Sequence, residues 1–518
     1  ALLDEREICY EILYSSFDKL TFSNLALKDR RVTDFVRAAV YGTLTYLEGI
    51  DFLIKQASGK TIKDYVDIMR KYIAKHPGQK TYVGTNWLFQ NLKTYPTKKD
   101  LDAIKTDAMI YMMTEDKHML WVNSKVLRKC YITKKIAKRL GPDHCRVFKN
   151  GEPSGIFTDS PAMSLITSIE WPVDERRKGY IAWQNHAFSL GYTAVAEAAA
   201  IENELTHVCS SYSELVDAGI WKLRTYAAYM VQPSRSNWKK QISHIKECKR
   251  RFDSEYFNIY GVKLFEDGVV EAHTAYLVEP YSDDPNYYGV FNFKGNEENA
   301  KEIIKRLNAE NIPVHIHTIG DGAVKFAMDC IEQSEIANCN FKVKNCLAHL
   351  ELVKPEDIKR ISEYGVIAIV APLWVPIAKA YFTSEIEYLG EERAYNTYPI
   401  KSFEDAGATI CFHTDYPITT IVSYPNAFYI AKKRRDPFKG IQTVKNPDEG
   451  ISQHRSLLAI TANAAYMVNE QDNLGKLLPG MIANCVVYDT DLLDEDIEKV
   501  PNAKLVATII DGQEVYHG

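Results

Sequence analysis

The sequence predicts an α/β fold: a TIM-type (β/α)8 barrel, with a small β-sandwich domain formed by both chain termini. Three observations carry this expectation. Short apolar, strand-like runs alternate with amphipathic helical stretches through most of the 518 residues. Four of those runs end on a titratable side chain, at separations near multiples of one βα unit. Short strand-like bursts occupy both ends of the chain.

The opening stretch to about Val40 reads as strands, with "EICYEILYSS" and "LTFSNLALKDRRVTDFV" joined by polar turns and Lys28-Asp29-Arg30 at a hairpin tip. From Lys60 to Lys75, Ile62, Tyr65, Val66, Ile68, Met69 and Ile73 share a helical stripe that stops at His76-Pro77-Gly78. "DAMIYMMT" is strand-like and precedes the Asn123–Leu140 segment; "YTAVAEAA" follows a helical Gly179–Leu190. "NIYGVKLFEDG", "IPVHIHTIGDG", "NCLAHLELV", "GVIAIVAP" and "ATICFHTDYP" then recur, most followed by helical patterns such as "AVKFAMDCIEQS". Such alternation predicts parallel strands with helical crossovers. Beyond Leu477 the chain returns to short strands, "ANCVVYDTD" and "AKLVATIIDGQEVYHG". The expected domains are 1–40 and 471–518 for the sandwich and 41–470 for the barrel.

A length of 518 residues exceeds one ordinary domain and suits a large barrel with a companion. The net charge of −5 leaves no basic footprint for nucleic acid or an anionic membrane. No run approaches a transmembrane length, and "ALLDEREICYEILY" is too charged for a signal peptide. The ten cysteines form no C-x-x-C pair, so they read as thiols in a reducing compartment, and a cytoplasmic location is expected. Without a P-loop, a G-x-G-x-x-G or a G-x-S-x-G, nucleotide hydrolysis, dehydrogenase and serine-hydrolase chemistry have no support.

In a TIM barrel, chemistry sits where strands end. Here Lys263 ends "NIYGVK", His317 ends "PVHIH", His349 ends "NCLAH" and Asp415 ends "TICFHTD". His317 and His349 are 32 residues apart, against roughly 30 for one βα unit. His349 to Asp415 spans 66 residues, with "GVIAIVAP" as the strand between; Lys263 to His317 spans 54, one unit plus an inserted loop. Consecutive strands would therefore direct all four to one rim. Imidazoles and a carboxylate suit zinc, iron or manganese, and an Asp beside such an ion can shuttle a water's proton to a leaving nitrogen. Against this, a lone strand-end His is more often a hydrogen-bonded core residue. His315 shares a face with His317, so spacing does not say which would coordinate. Gly320-Asp321-Gly322 reads equally as a turn with a helix cap.

The same strings resemble the amidohydrolase superfamily, in particular the amidohydrolase-3 group that includes N-substituted formamide deformylases and the YtcJ-like proteins. "GVKLFEDGVVEAHTAYLVEPYSD", "VHIHTIGDGAV", "LAHLELVKPEDIKRISEYGVIAIVAPLW", "FHTDYPI" and "ITANAAYMVNEQDNLGKLLPGMIANCVVYD" match the group's successive barrel segments. "HMLWVNSKVL" and "GEPSGIFTD" match it further upstream. The resemblance implies a barrel with a terminal sandwich that hydrolyses a carbon–nitrogen bond other than a peptide bond. It places metal ligands on His317 and His349, the catalytic and ligating aspartate on Asp415, and a further ligand on Lys263, at a position where some relatives carry a carboxylated lysine that bridges two metals. It also places Trp121 and Asn123 near the substrate. Trp374 offers an aromatic wall, His273 stands where an Arg often precedes "T-A", and His118, His413 and Glu197 are candidate supporting groups.

The first strand departs from the pattern. The H-x-H that supplies two ligands falls on Thr43 and Thr45, the preceding acidic position falls on Tyr41, and no H-x-H occurs before Lys263. Hydroxyls are poor ligands beside imidazole, so a bimetal centre is not expected. The expected cofactor is one divalent metal ion, zinc by ligand type. The expected function is a metal-dependent amidohydrolase acting on a small amide, formamide or cyclic amide, with Asp415 shuttling the proton. The alternative is a catalytically degraded, amidohydrolase-like binding or regulatory protein; a deletion in the first strand is a third reading. Neither nucleic acid nor membrane is an expected partner, and homo-oligomerisation stays open.

Overall fold

In the computed structural model the described residues are 52–53, 61–88, 92, 94–114, 118–158, 173–200, 205–339, 342–376, 379–416, 418–419, 422–437, 444–494 and 496–518. Tyr41, Thr43, Thr45 and the expected N-terminal sandwich strands lie outside them. The chain divides into two compact units, one comprising 1–132 with 154–156, the other 133–153 with 157–518.

In the first unit, β1 (Phe52–Leu53), β2 (Thr81–Trp87) and β3 (Met109–Thr114) pair in parallel, and β4 (Met119–Val122) pairs antiparallel with β3. The helix Ile62–Lys75 begins where the sequence expects it. Thr61 and Asp64 form a reciprocal capping box, and Tyr65, Val66 and Met69 are its buried stripe. β5 (Cys145–Val147) and β6 (Pro153–Thr158) form an antiparallel pair through Cys145 with Phe157 and Val147 with Pro153, residues of the second unit.

The second unit holds the barrel sheet. β7 (Ala194–Ala200), β8 (Arg224–Met230), β9 (Phe257–Phe265), β10 (Val314–Thr318), β11 (Cys346–His349), β12 (Ile367–Val370) and β13 (Thr409–Phe412) lie side by side in sequence order. Every neighbouring pair is parallel. Helices cross over between successive strands, among them Leu205–Asp217, Trp238–Phe252, Glu297–Ala309, Asp321–Ala337 and Pro355–Glu363. Alternation sorts the side chains into two environments. Val262, Leu264, Val314, Ile316, Leu347 and Val370 pack outward with helix residues such as Ile303, Leu307, Val324 and Met328. Cys346, Ala348, Ile367, Ile369 and Cys411 form a separate cluster on the other face. Seven parallel strands in barrel order make this a TIM-like barrel; an eighth, closing strand is not among the described residues.

At the C-terminus β14 (Cys485–Tyr488), β15 (Leu505–Ile510) and β16 (Gln513–His517) form an antiparallel sheet, which Thr508 ties to the barrel through a 2.7 Å hydrogen bond to the Phe188 carbonyl. Short strands are expected at this end of the chain; the N-terminal strands that a sandwich formed by both termini would need fall on residues not described. Among the described residues no helix is long and apolar enough to cross a membrane.

Candidate active site

Parallel register sets the depth of each candidate in the barrel. Thr318 on β10 stands opposite His349 on β11, and His315 opposite Lys263 on β9. Lys263 is thus two residues short of its strand end rather than at it, level with His315 and below His317. The choice between His315 and His317 follows from their partners. His315 Nδ1 is 2.7 Å from the Tyr260 hydroxyl, inside the barrel, whereas His317 is near the rim and meets His349 with ring centroids 4.3 Å apart.

Asp267 organises the rim. It follows β9 in the "KLFEDG" segment, and its Oδ1 lies 3.0 Å from His317 Nδ1 and accepts the Ile319 amide at 3.1 Å. Its Oδ2 accepts the amides of Gly320 at 2.8 Å and Tyr276 at 3.1 Å. Donation from Nδ1 to a buried carboxylate fixes the imidazole tautomer and turns Nε2 away from Asp267, the arrangement metal-ligating histidines use. Gly320 is demanded by this packing, since a Cβ there would sit 2.0 Å from the Tyr276 carbonyl oxygen. The Gly320-Asp321-Gly322 turn is therefore both a helix start and the cradle of Asp267.

His349 is aimed by strained backbone. It has φ +80° and Leu350 has φ +53°, conformations costing of order 1–3 kcal/mol each for non-glycine residues. The turn is held by the Leu350 amide on the Thr318 carbonyl, the Leu352 amide on the Ile319 carbonyl and the Tyr398 amide on the Glu351 carbonyl. The His349 ring stacks on Trp374 at 5.3 Å and 13°, and meets His413 edge-on at 4.8 Å. Asp415, also left-handed at φ +53°, is exposed in the loop after β13.

Burial shapes the electrostatics. It pushes the Lys263 amine down to about 8, opposed by the nearby Asp415, Cys346 and Asp267. It pushes His413 down to about 4, opposed by Asp415. Burial holds His349 well below the ordinary imidazole value, with His317, His413 and Lys263 adding to the effect. The result is a neutral His349 at physiological pH, which is the form that coordinates a metal.

Two imidazoles, those of His317 and His349, lie close enough to meet a single cation, their ring centroids being 4.3 Å apart. His317 is oriented by Asp267, and His349 Nδ1 is buried with no hydrogen-bond partner, an orphan that a cation would satisfy. By themselves they complete a site neither for one ion nor for a pair. Among the described residues no group of three or more His, Cys, Asp or Glu side chains comes together to hold a metal, and no histidine precedes His76 in the sequence.

The other candidates have different surroundings. Trp121 and Asn123 belong to the core of the first unit, where Trp121 Nε1 donates to the Thr97 carbonyl and Asn123 caps the helix Ser124–Lys129 while bonding Ile110 and Ala108. His273 is enclosed by Tyr281, Tyr287 and Tyr388 at 4.1–4.8 Å, with Nε2 3.0 Å from Asp283. Glu197 accepts from Tyr212 on the helix Leu205–Asp217, and so turns to the helical layer rather than the rim. Sequence reasoning passed over Asp267, although the "F-E-D-G" following Lys263 was the available signal.

The chain is 26% identical over 431 residues to Protein LONG AFTER FAR-RED 3 of Arabidopsis thaliana, covering 81% of this chain and 71% of that protein. It is 23% identical over 454 residues to the putative amidohydrolase YtcJ of Bacillus subtilis, covering 84% and 79%. A crystal structure of an uncharacterized metal-dependent hydrolase from Pyrococcus horikoshii OT3 has the same fold, with TM-score 0.63, 22% identity and 91% and 85% coverage. The family model described as the amidohydrolase family matches residues 48–516, a span that contains Lys263, His317, His349 and Asp415 and begins after Thr43 and Thr45. The chain belongs to the amidohydrolase family.

Proposed function

We propose that this protein is a hydrolase of a small amide, formamide or cyclic amide, cleaving a non-peptide carbon–nitrogen bond with the help of one divalent cation held by His317 and His349. The observation that carries the reading is the His317–His349 pair, one ring oriented by Asp267 and the other left with an orphaned buried nitrogen. Zinc is the cation that imidazole donors at neutral pH favour. When bound, it would lower the pKa of a water to about 7 and polarise the scissile carbonyl.

The chain's own residues supply the rest. Asp415 accepts the proton of the attacking water and passes it to the leaving nitrogen, and would be the carboxylate available to the cation when one is bound. Lys263, still largely protonated at pH 7, keeps the site floor positive where negative charge develops. Trp374, stacked on His349, offers an apolar wall for the group attached to the amide. The test is hydrolysis of an N-formyl or N-acyl amine after zinc or manganese addition. Activity abolished by His317→Ala and by Asp415→Ala supports the reading; no activity in the wild type with either metal refutes it.

One observation favours a second reading. The lack of a three-donor group among the described residues, together with threonine at 43 and 45, suits a protein that kept the scaffold as a binding or regulatory module. Such a protein would bind small amides with no turnover, and with an affinity that added zinc does not change.

A further inference from the structure

The loop that carries Asp415 is held on two sides by indoles from different parts of the barrel. On one side Trp374, which follows β12, donates from Nε1 to Thr419 Oγ1 at 2.8 Å while its ring stacks on His349. On the other, Trp183 from the helix Val173–Ser189 stacks on Tyr416 with centroids 4.8 Å apart and planes 15° from parallel. His186, one turn further along that helix, meets the same tyrosine ring at 5.6 Å. Within the loop, the Ile418 amide donates to the Asp415 carbonyl at 2.7 Å and the Tyr416 amide to Thr414 Oγ1 at 3.3 Å.

These contacts bracket Asp415. Tyr416 is its immediate neighbour and Thr419 lies one turn beyond, so the two anchors fix the chain just past the carboxylate. Asp415 is exposed and left-handed, and a backbone in that region persists only where its surroundings hold it. Trp374 also joins two parts of the site, since one face of its indole meets His349 and its N–H reaches the Asp415 loop.

We propose that Trp183 and Trp374 are positioning residues for Asp415, acting through Tyr416 and Thr419 respectively. The inference rests on the reading of Asp415 as the proton shuttle and extends it to the groups that set its reach. Displacing a reacting group by about 1 Å can cost about 10²-fold in rate with little change in substrate binding.

The test uses the full-length chain with zinc added, and compares Trp374→Phe, Thr419→Val, Thr419→Ser and Trp183→Ala with Asp415→Asn. Two quantities are read: kcat and KM on an N-formyl amine, and backbone hydrogen exchange across residues 413–419. Trp374→Phe keeps the ring on His349 but loses the N–H donor; Thr419→Val loses the acceptor, and Thr419→Ser keeps it. The expected result is a kcat lowered about 10- to 100-fold at nearly constant KM in the first two and in Trp183→Ala, with faster exchange in the loop. Thr419→Ser should behave as wild type. If Asp415→Asn abolishes turnover while Trp374→Phe, Thr419→Val and Trp183→Ala keep wild-type kcat and exchange, the proposal is overturned. If the wild type does not turn over at all, the hydrolase reading has failed on its own. Loop exchange then decides the positioning claim: faster in the indole variants supports it, unchanged overturns it.

Discussion

His317 Nδ1 lies 3.0 Å from Asp267 Oδ1, and the same carboxylate accepts three backbone amides, those of Ile319, Gly320 and Tyr276. Asp267 therefore joins the orientation of a candidate metal ligand to the folding of the rim. Asp267→Ala strands the buried amides of Ile319 and Gly320 and the half-buried amide of Tyr276, each buried one costing about 1–3 kcal/mol, so a loss of several kcal/mol is expected in urea unfolding. Asp267→Asn keeps acceptor capacity on one oxygen only. It should fold and bind zinc about 10- to 100-fold more weakly. Zinc affinity of Asp267→Asn measured by competition with a chromogenic chelator checks this.

Glu266, the neighbour of Asp267, is fully buried and neither carboxyl oxygen has a hydrogen-bond partner. Burial, with Asp267 and Asp329 adding repulsion, holds its carboxyl well above the usual range. Between the unfolded value of about 4.3 and the raised folded value, the native state binds more protons than the unfolded one. This group's contribution to stability is therefore full below the unfolded value and declines as pH rises towards the folded one. Glu266→Gln removes that dependence. The variant should show a flatter decline in urea midpoint from pH 5 to pH 8 than the wild type.

A buried ion pair joins the helix Lys379–Leu389 to the segment just before Pro447–Glu449. Lys445 Nζ lies 3.0 and 2.9 Å from the two carboxyl oxygens of Glu385, with both side chains almost wholly out of solvent. Lys445→Met leaves the carboxylate unpaired and should cost about 3–5 kcal/mol. The double variant Glu385→Met with Lys445→Met should recover most of that loss, because the desolvation cost of both charges disappears. A double-mutant cycle in chemical denaturation measures the coupling.

Much of this was legible from spacing. The 32-residue step from His317 to His349 is one βα unit, and β12 does lie between His349 and Asp415, as the 66-residue gap required. Periodicity could not set depth along a strand, so Lys263 was read as a strand end although β9 continues to Phe265. Nor could it read contacts made by folded loops. Asp267 reaches His317 across 50 residues of sequence, and Trp183 meets Tyr416 from a helix that precedes the whole parallel sheet. Trp121 and Asn123 drew attention as polar and aromatic residues at an expected substrate wall, yet each spends its hydrogen bonds on its own unit's core. The threonines at 43 and 45 are a fact of sequence alone, and a hydroxyl at either position supplies no imidazole whatever the fold around it.

Whether His317 and His349 bind a metal together decides the proposed function. Metal content by mass spectrometry, after equilibration with zinc and removal of free ion, tests this on the wild type and on His317→Ala and His349→Ala. The account predicts one zinc per chain in the wild type and its loss in both variants, with folding unchanged by circular dichroism. Wild-type protein that retains no zinc, or variants that retain as much as the wild type, would contradict it.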